Sequence, residues 1–373
     1  MLSVIIPSRN EKYLGRTIED ILAKARGEIE IIAILDGYWP SPQLPDYPNV
    51  ILIHKGKPQG MRQGINSGVA IAKGKYILKT DAHCMFDEGF DLKLIEDCEE
   101  NWVVVPRRKR LDAVNWQIKD VQKPDVDYEY VSFPDNPKDF GGPGLNGRIW
   151  NERAIERKDI LVDENLSFQG SCWFMHRDYF YKLELMDFEN YGPFWNEAQE
   201  IGFKAWLSGG KVMVNKKTWY AHLHKGKEEG RGYNMSEDWL ITGATYTKRW
   251  MLNDAWDKQI EPFESLIERF MPMPGWPSNW KEVFQNLNSE GIDTEAYIHK
   301  KFGIKNEKEV TDIPNFDREG LAALFRDLNF KKGVEVGVEQ GLYSEVLCKA
   351  NPHLKLTAVD SWCTYPAYRE HVT

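Results

Sequence analysis

An aspartate and a histidine, one residue apart, close a short strand-forming run at Asp81-Ala82-His83. The run before them, Tyr76-Ile-Leu, favours extended backbone, and on a strand residues i and i+2 point to one face. A carboxylate and an imidazole are thereby presented side by side at a strand's carboxyl end, where open α/β sheets bind ligands. Aspartate oxygen with histidine nitrogen suits a divalent ion such as Mn2+ better than Mg2+, which prefers oxygen alone. The same tripeptide also reads as a turn in which Asp81 caps the next segment. The choice rests on what else converges there.

Other chemistry-bearing residues are spread along the chain. Polar groups close the earlier strand-like runs: Ser8-Arg9-Asn10-Glu11 after Leu2–Pro7, and Asp36 after Glu30–Leu35. Asp36 can accept hydrogen bonds from a base edge or a ribose, and Asp36-Gly37 equally reads as a turn. Glu197 falls in the first turn of a helix that Gly209-Gly210 ends, where the helix dipole favours an anion. His222 and His224 lie on one face of the run Thr218–His224. Gly170-Ser171 would let a ligand approach the backbone. The basic run Arg107–Arg110 reads as a solvated face, with an anion site as the less favoured alternative.

The elements that must position these residues alternate in a recognisable way. Leu2–Pro7 and Glu30–Leu35 read as buried strands, and Val50–Ile53 and Lys75–Leu78 as a third and a fourth strand. Helical periodicity falls between Leu14 and Leu22 and between Gly60 and Ala72. Strand, helix, strand, strand, helix, strand is a Rossmann-like α/β unit that binds a nucleotide at its carboxyl edge. No GxGxxG follows the first strand, so a dinucleotide is not indicated. Further strands are expected at Asn101–Val105, Phe168–Met175 and Lys211–Val214, around an irregular insert, Asp112–Asp163, of the kind that forms lids.

At 373 residues the chain exceeds the ~250–300 at which one core stops growing, so more than one domain is expected. The net charge of −9 argues against a protein whose main task is gripping nucleic-acid phosphates. Five scattered cysteines without a CxxC make neither a disulfide framework nor a zinc cluster. No apolar run reaches the ~18–20 residues of a membrane span. The first strand starts at Leu2, and a cytoplasmic protein is expected.

Taken in order, several motifs resemble a nucleotide-sugar glycosyltransferase of the GT-A fold. Val4-Ile-Ile-Pro7 with Asn10-Glu11, then Asp36, then Gly74-Lys-Tyr-Ile-Leu78 before an acidic motif, is the pattern of the family 2 enzymes. Asp81-Ala82-His83-Cys84 is similar to the Asp-x-His-Cys metal motif of the polypeptide N-acetylgalactosaminyltransferases. So are Gly170-Ser171, Arg177-Asp-Tyr-Phe180, Trp195-Asn196-Glu197, Phe203–Gly210, Ala221-His222-Leu223 and Trp250-Met251, in that order. The resemblance implies a GT-A α/β domain over residues 1–270. It implies that Asp81, His83 and His222 hold Mn2+ or another divalent ion. A UDP-sugar donor would lie against Pro7, Ser8, Arg9, Asn10, Asp36, Arg62, Asp81, Ala82, Gly170, Ser171, Trp195 and His224, with Glu197 at the sugar or the reacting centre.

The likeness to these enzymes implies transfer to an acceptor hydroxyl with retention. The broader family 2 pattern implies inversion, with Glu197 as base. A non-catalytic sugar-nucleotide-binding module is the reading from another class. The motif Trp-Gly-Gly-Glu-Asn is here Phe194-Trp-Asn-Glu-Ala198, so the donor sugar does not carry over. The acceptor is open: a glycan, a protein side chain or a modified DNA base.

After Pro272 the composition shifts to Met-Pro-Gly-Trp-Pro, and residues 271–330 read as a linker with short helices. Residues 331–373 resemble the opening of a class I S-adenosylmethionine methyltransferase: Val334-Glu-Val-Gly337-Val-Glu-Gln-Gly341, then Ala358-Val-Asp360. A complete domain of that kind needs roughly 150 residues. A fragment is therefore expected, with S-adenosylmethionine relevant only if the domain were whole.

Overall fold

The computed structural model describes residues 1–119, 124–134, 144–225, 237–289, 317–338 and 341–359. The chain divides into two units, Met1–Ile292 and Asp293–Thr373. The strands of the first unit are β1 (Leu2–Ser8), β2 (Ile29–Asp36), β3 (Val50–Lys55), β4 (Tyr76–Thr80), β5 (Cys84–Phe86), β6 (Trp102–Asp112), β7 (Gln117–Ile118), β8 (Glu129–Val131), β9 (Gly147–Ile149), β10 (Val162–Glu164), β11 (Cys172–His176) and β12 (Lys211–His222). The main sheet runs β10-β12-β6-β11-β4-β1-β2-β3, with β5 on β12 and β7 on β6; β8 and β9 form a separate ribbon.

Strand periodicity sorts the first strands between two layers. Val4 and Ile6 of β1 pack with Ile31, Ala33 and Leu35 of β2 against Leu14, Ile18 and Ile21 of the helix Leu14–Lys24. Their neighbours Ile5, Ile32 and Ile34 face the other way, onto Ile65 and Val69 of the helix Met61–Ile71. Because successive side chains point to opposite faces, a strand covered on both sides must be apolar throughout. All eight residues of β2 are buried.

Direction in the sheet decides which strand ends meet. β1 is parallel to β2 and β4, and β2 to β3. β11 is antiparallel to both β4 and β6, so those two run the same way, and β12 is parallel to β6. The carboxyl ends of β1, β2, β4, β6 and β12 therefore share one edge. A register shift between Asn215 and Trp219 redirects β12. Its last residues, Tyr220–His222, then pair antiparallel with β5, the strand that follows the Asp-x-His turn, and His222 stands opposite Cys84.

Two expectations change. The strand read as Asn101–Val105 continues through Asp112, so the basic run belongs to it, with Arg108 buried. The stretch after Met271 is no linker in its first part: Met273, Trp276, Trp280, Phe284 and Leu287 are buried in the first unit's core. Their spacing is that of an amphipathic helix, and Trp280–Ser289 is helical. The insert 112–163 holds short strands and the helix Asn151–Glu156 where described; Gly141 and Gly142 lie outside the described residues.

In the second unit β13 (Lys332–Val336) and β14 (Lys355–Val359) are parallel, joined through the helix Leu342–Ala350. Gly337 and Gly341 have φ of 78° and 74°, backbone that favours glycine. Glu339 and Asp360 lie outside the described residues. Among the described residues no helix is long and apolar enough to cross a membrane.

Candidate active site and metal centre

Asp81, His83 and His222 converge: one ligand atom from each lies within 4.8 Å of the others. Asp81 leaves β4 with its amide bonded to the Ser171 carbonyl at 2.9 Å. The Nε2 atoms of His83 and His222 face each other at 3.1 Å. Oδ2 of Asp81 lies 3.3 Å from His222 Nε2 and 3.9 Å from His83 Nε2.

The donor set suits a cation. His83 directs Nδ1 at Glu11 Oε2, 3.0 Å away. A carboxylate that accepts from Nδ1–H keeps the ring proton on Nδ1 and leaves the Nε2 lone pair for a ligand. Burial lowers the pKa of His222 to about 3, so that imidazole is neutral as a metal ligand must be. Burial alone would raise the Asp81 pKa; Lys79 and the two imidazoles outweigh it and hold the carboxyl well below its ordinary value. The residues present fit a divalent ion with mixed N and O ligands.

Behind this corner lies a second charged group. Glu197 opens the helix Glu197–Leu207, every residue of which is buried. Its Oε1 accepts from Trp173 Nε1 at 2.7 Å and its Oε2 from Lys79 Nζ at 3.2 Å. Burial raises the Glu197 pKa even though Lys79 and Trp173 favour the charged form. A Cβ on Gly170 would sit 2.5 Å from Glu197 Oε2. The room that Gly170 leaves is thus taken by the carboxylate and not by an approaching ligand. Asn196, just before Glu197, adopts φ 56° and keeps a buried Oδ1 without a hydrogen-bond partner.

The remaining expected residues are placed as follows. Ser8 is buried, with its hydroxyl against that of Tyr38. Pro7 is part-buried, Arg9 follows it, and Asn10 is exposed in the left-handed region with φ 50°. All four lie at the sheet's carboxyl edge. Asp36 accepts from the amides of Gln59 at 2.7 Å and Gly60 at 3.0 Å, so it fixes the loop into the helix Met61–Ile71. Arg62 is fully buried, paired with Glu200 and donating to the Trp195 carbonyl at 2.8 Å. It braces the Trp195 turn from within the core. Ala82 is buried, and Ser171 bonds the Tyr220 hydroxyl at 2.7 Å. Trp195 is part-exposed, and His224 stands edge-on to His222 at 5.1 Å between ring centres.

The basic run is neutralised from within. Arg107 forks onto Asp127 at 2.7 Å through both nitrogens. Lys109 meets Asp125 at 2.7 Å, and Arg108 meets Glu129 at 2.9 Å. Arg110 donates to the Pro124 carbonyl at 3.0 Å.

Three residues were not singled out for these roles: Lys79, Trp173 and the orienting Glu11. The signal for Lys79 was present, since a lysine inside a strand with strands on both sides has no route to water.

Comparison with known proteins agrees with this arrangement. The family model described as Glycosyl transferase family 2 matches residues 3–184. The chain is 24% identical over 237 residues to the putative polypeptide N-acetylgalactosaminyltransferase 13 of Drosophila melanogaster, covering 57% of this chain and 40% of that one. It is 22% identical over 300 residues to polypeptide N-acetylgalactosaminyltransferase 12 of Mus musculus, covering 72% of this chain and 48% of that one. It thus spans less than half the length of either relative. The crystal structure of GalNAc-T7 with UDP, GalNAc and Mn2+ superposes with a TM-score of 0.54 at 16% identity, over 82% of this chain and 58% of that one. That likeness establishes the fold, a mixed α/β arrangement of the GT-A kind. None of these relatives is a methyltransferase, and nothing in them supports S-adenosylmethionine binding.

Proposed function

We propose that this chain, which carries a glycosyltransferase family 2 domain in residues 3–184, is a metal-dependent glycosyltransferase that moves a sugar from a UDP-sugar to an acceptor hydroxyl with retention. The observation that carries the reading is the convergence of Asp81, His83 and His222 at the carboxyl edge of the main sheet. In this reading those three residues hold the ion, Mn2+ being favoured by the mixed donors, and Glu11 orients His83. The bound ion would act as a Lewis acid on the leaving diphosphate. Ser8, Arg9 and Asn10 line the nucleotide's edge. The donor assignment is supported by relatives named for N-acetylgalactosamine transfer and by a solved neighbour holding UDP, GalNAc and Mn2+.

Glu197 supports retention over inversion. In this reading the carboxylate holds groups in place: Oε1 accepts from the Trp173 indole and Oε2 from the Lys79 ammonium, and two fixed donors favour its charged form over the proton uptake of a general base. The pairing of Arg107, Arg108 and Lys109 with acidic neighbours argues against nucleic-acid phosphates as the acceptor's handle.

Donor screening by thermal shift with Mn2+ identifies the sugar nucleotide. NMR of the product then reads the anomeric configuration: the donor's configuration kept is the expected result, and its inversion would assign Glu197 the base role. Release of pyrophosphate in place of UDP would move the reaction to nucleotidyl transfer.

A further inference from the structure

Lys79 is a buried charge with no part in the reaction described above. Its side chain is 1% exposed and it lies in the middle of the sheet, on β4 between β1 and β11. Its ammonium donates to Asp81 Oδ1 at 2.9 Å, to the Gly170 carbonyl at 2.6 Å and to Glu197 Oε2 at 3.2 Å. A lysine has three donors, so none remains for a substrate. Direct contact with a diphosphate is thereby excluded, and a role through other residues remains.

The three partners belong to different parts of the site. Asp81 gives Oδ1 to Lys79 and turns Oδ2 towards His222 and His83. Lys79 thus fixes the orientation in which the carboxylate faces the imidazoles. Glu197 is held at its other oxygen by Trp173, so Lys79 completes its fixation. The Gly170 carbonyl anchors the ammonium from the turn before β11, where any Cβ would strike Glu197.

We propose that Lys79 is a positioning residue that ties the metal ligand Asp81 and the carboxylate Glu197 into one rigid unit, so that metal affinity and the placement of Glu197 are set together. The inference rests on the metal-dependent reading above. Its physical basis is that two neighbouring carboxylates repel each other unless a cation bridges them, and that removing the cation leaves the buried Glu197 charge without its counter-ion. A group that orients a metal ligand typically changes metal affinity by about 10–100-fold.

The test measures Mn2+ affinity in the presence of UDP, by electron paramagnetic resonance of the free ion, together with thermal unfolding of the full chain. Four proteins are compared: wild type, Lys79→Met, Glu197→Gln and the double variant. Lys79→Met is expected to bind Mn2+ at least about tenfold more weakly and to unfold at lower temperature. Glu197→Gln keeps an oxygen for Lys79 and is expected to hold Mn2+ within about twofold of wild type, well short of the change expected for Lys79→Met. The double variant removes both members of the buried pair. It should regain the thermal stability lost by Lys79→Met yet keep the weak Mn2+ binding, which a purely structural lysine would not produce.

Wild-type Mn2+ affinity in Lys79→Met, or in the double variant where the single one does not fold, overturns the proposal. A double variant no more stable than Lys79→Met overturns the coupling to Glu197. Absence of Mn2+ binding in the wild type overturns the metal reading itself, and is distinguishable because it precedes any substitution.

Discussion

Two clusters of charge sit on neighbouring strands of the same sheet, and they have been resolved in opposite ways. Along β6, Arg107, Arg108 and Lys109 alternate between faces, and each meets a carboxylate from Asp125, Glu129 or Asp127. Those three charges are answered by acids of the chain. At the metal corner, Asp81, His83 and His222 bring one carboxylate oxygen and two ring nitrogens together, and Lys79 answers only the other oxygen of Asp81. A convergent set of N and O donors suits a divalent ion, whereas a paired charge needs nothing more. Residue type alone does not separate a ligand site from a structural one. What separates them is whether the surrounding chain has already supplied the counter-charge.

The contrast is broken most severely at the corner. His222→Ala or Asp81→Ala should reduce metal-dependent UDP release by about a thousandfold or more, since the charge on the leaving diphosphate is then unanswered. Both variants should stay folded, as circular dichroism would check. Full activity in His222→Ala would remove that residue from the site. Next in size is Glu11→Gln, which keeps the shape of the side chain but weakens its hold on His83 Nδ1. A 10–100-fold loss of Mn2+ affinity is expected by calorimetry, with little change in stability.

On β6 the expected effects are on stability instead. Asp127→Ala strips the forked partner from Arg107 and should cost about 1–3 kcal/mol in urea unfolding, while UDP release at saturating donor stays as in wild type. The smallest effect belongs to Lys109→Ala. Its partner Asp125 is about a third exposed, so a change of about 0.5 kcal/mol or less is expected. A large loss of activity in either β6 variant would mean that the run handles a ligand after all.

Much of this was legible in the sequence, and the parts that were not share a cause. Asp81 and His83 were readable by residue type and spacing, although the structure sets them in the turn between β4 and β5 and not on one strand. The α/β alternation was readable because buried parallel strands are apolar throughout. His222 lies 139 residues from His83 along the chain, and only an ordered family likeness could place it; its approach depends on a register shift in β12 that no periodicity announces. Asp36 and Arg62 hold the turns at Gln59–Gly60 and Trp195, contacts between distant parts of the chain that no local spacing announces. The acids that neutralise Arg107–Lys109 lie some 16–21 residues downstream, across an irregular connection, so the run read as solvated. Prolines around Met271 suggested a linker, yet the spacing of Trp276, Trp280, Phe284 and Leu287 carried the helical signal that places this stretch in the core.

The claim that the corner is a working metal centre for sugar transfer is tested most directly by UDP release from a panel of UDP-sugars, with Mn2+ and with EDTA, for the wild type and Asp81→Ala. The account predicts UDP release from at least one donor, restored by Mn2+ after EDTA and absent in Asp81→Ala. Release that survives EDTA and the substitution, or no release from any donor despite tight UDP-sugar binding, would contradict it.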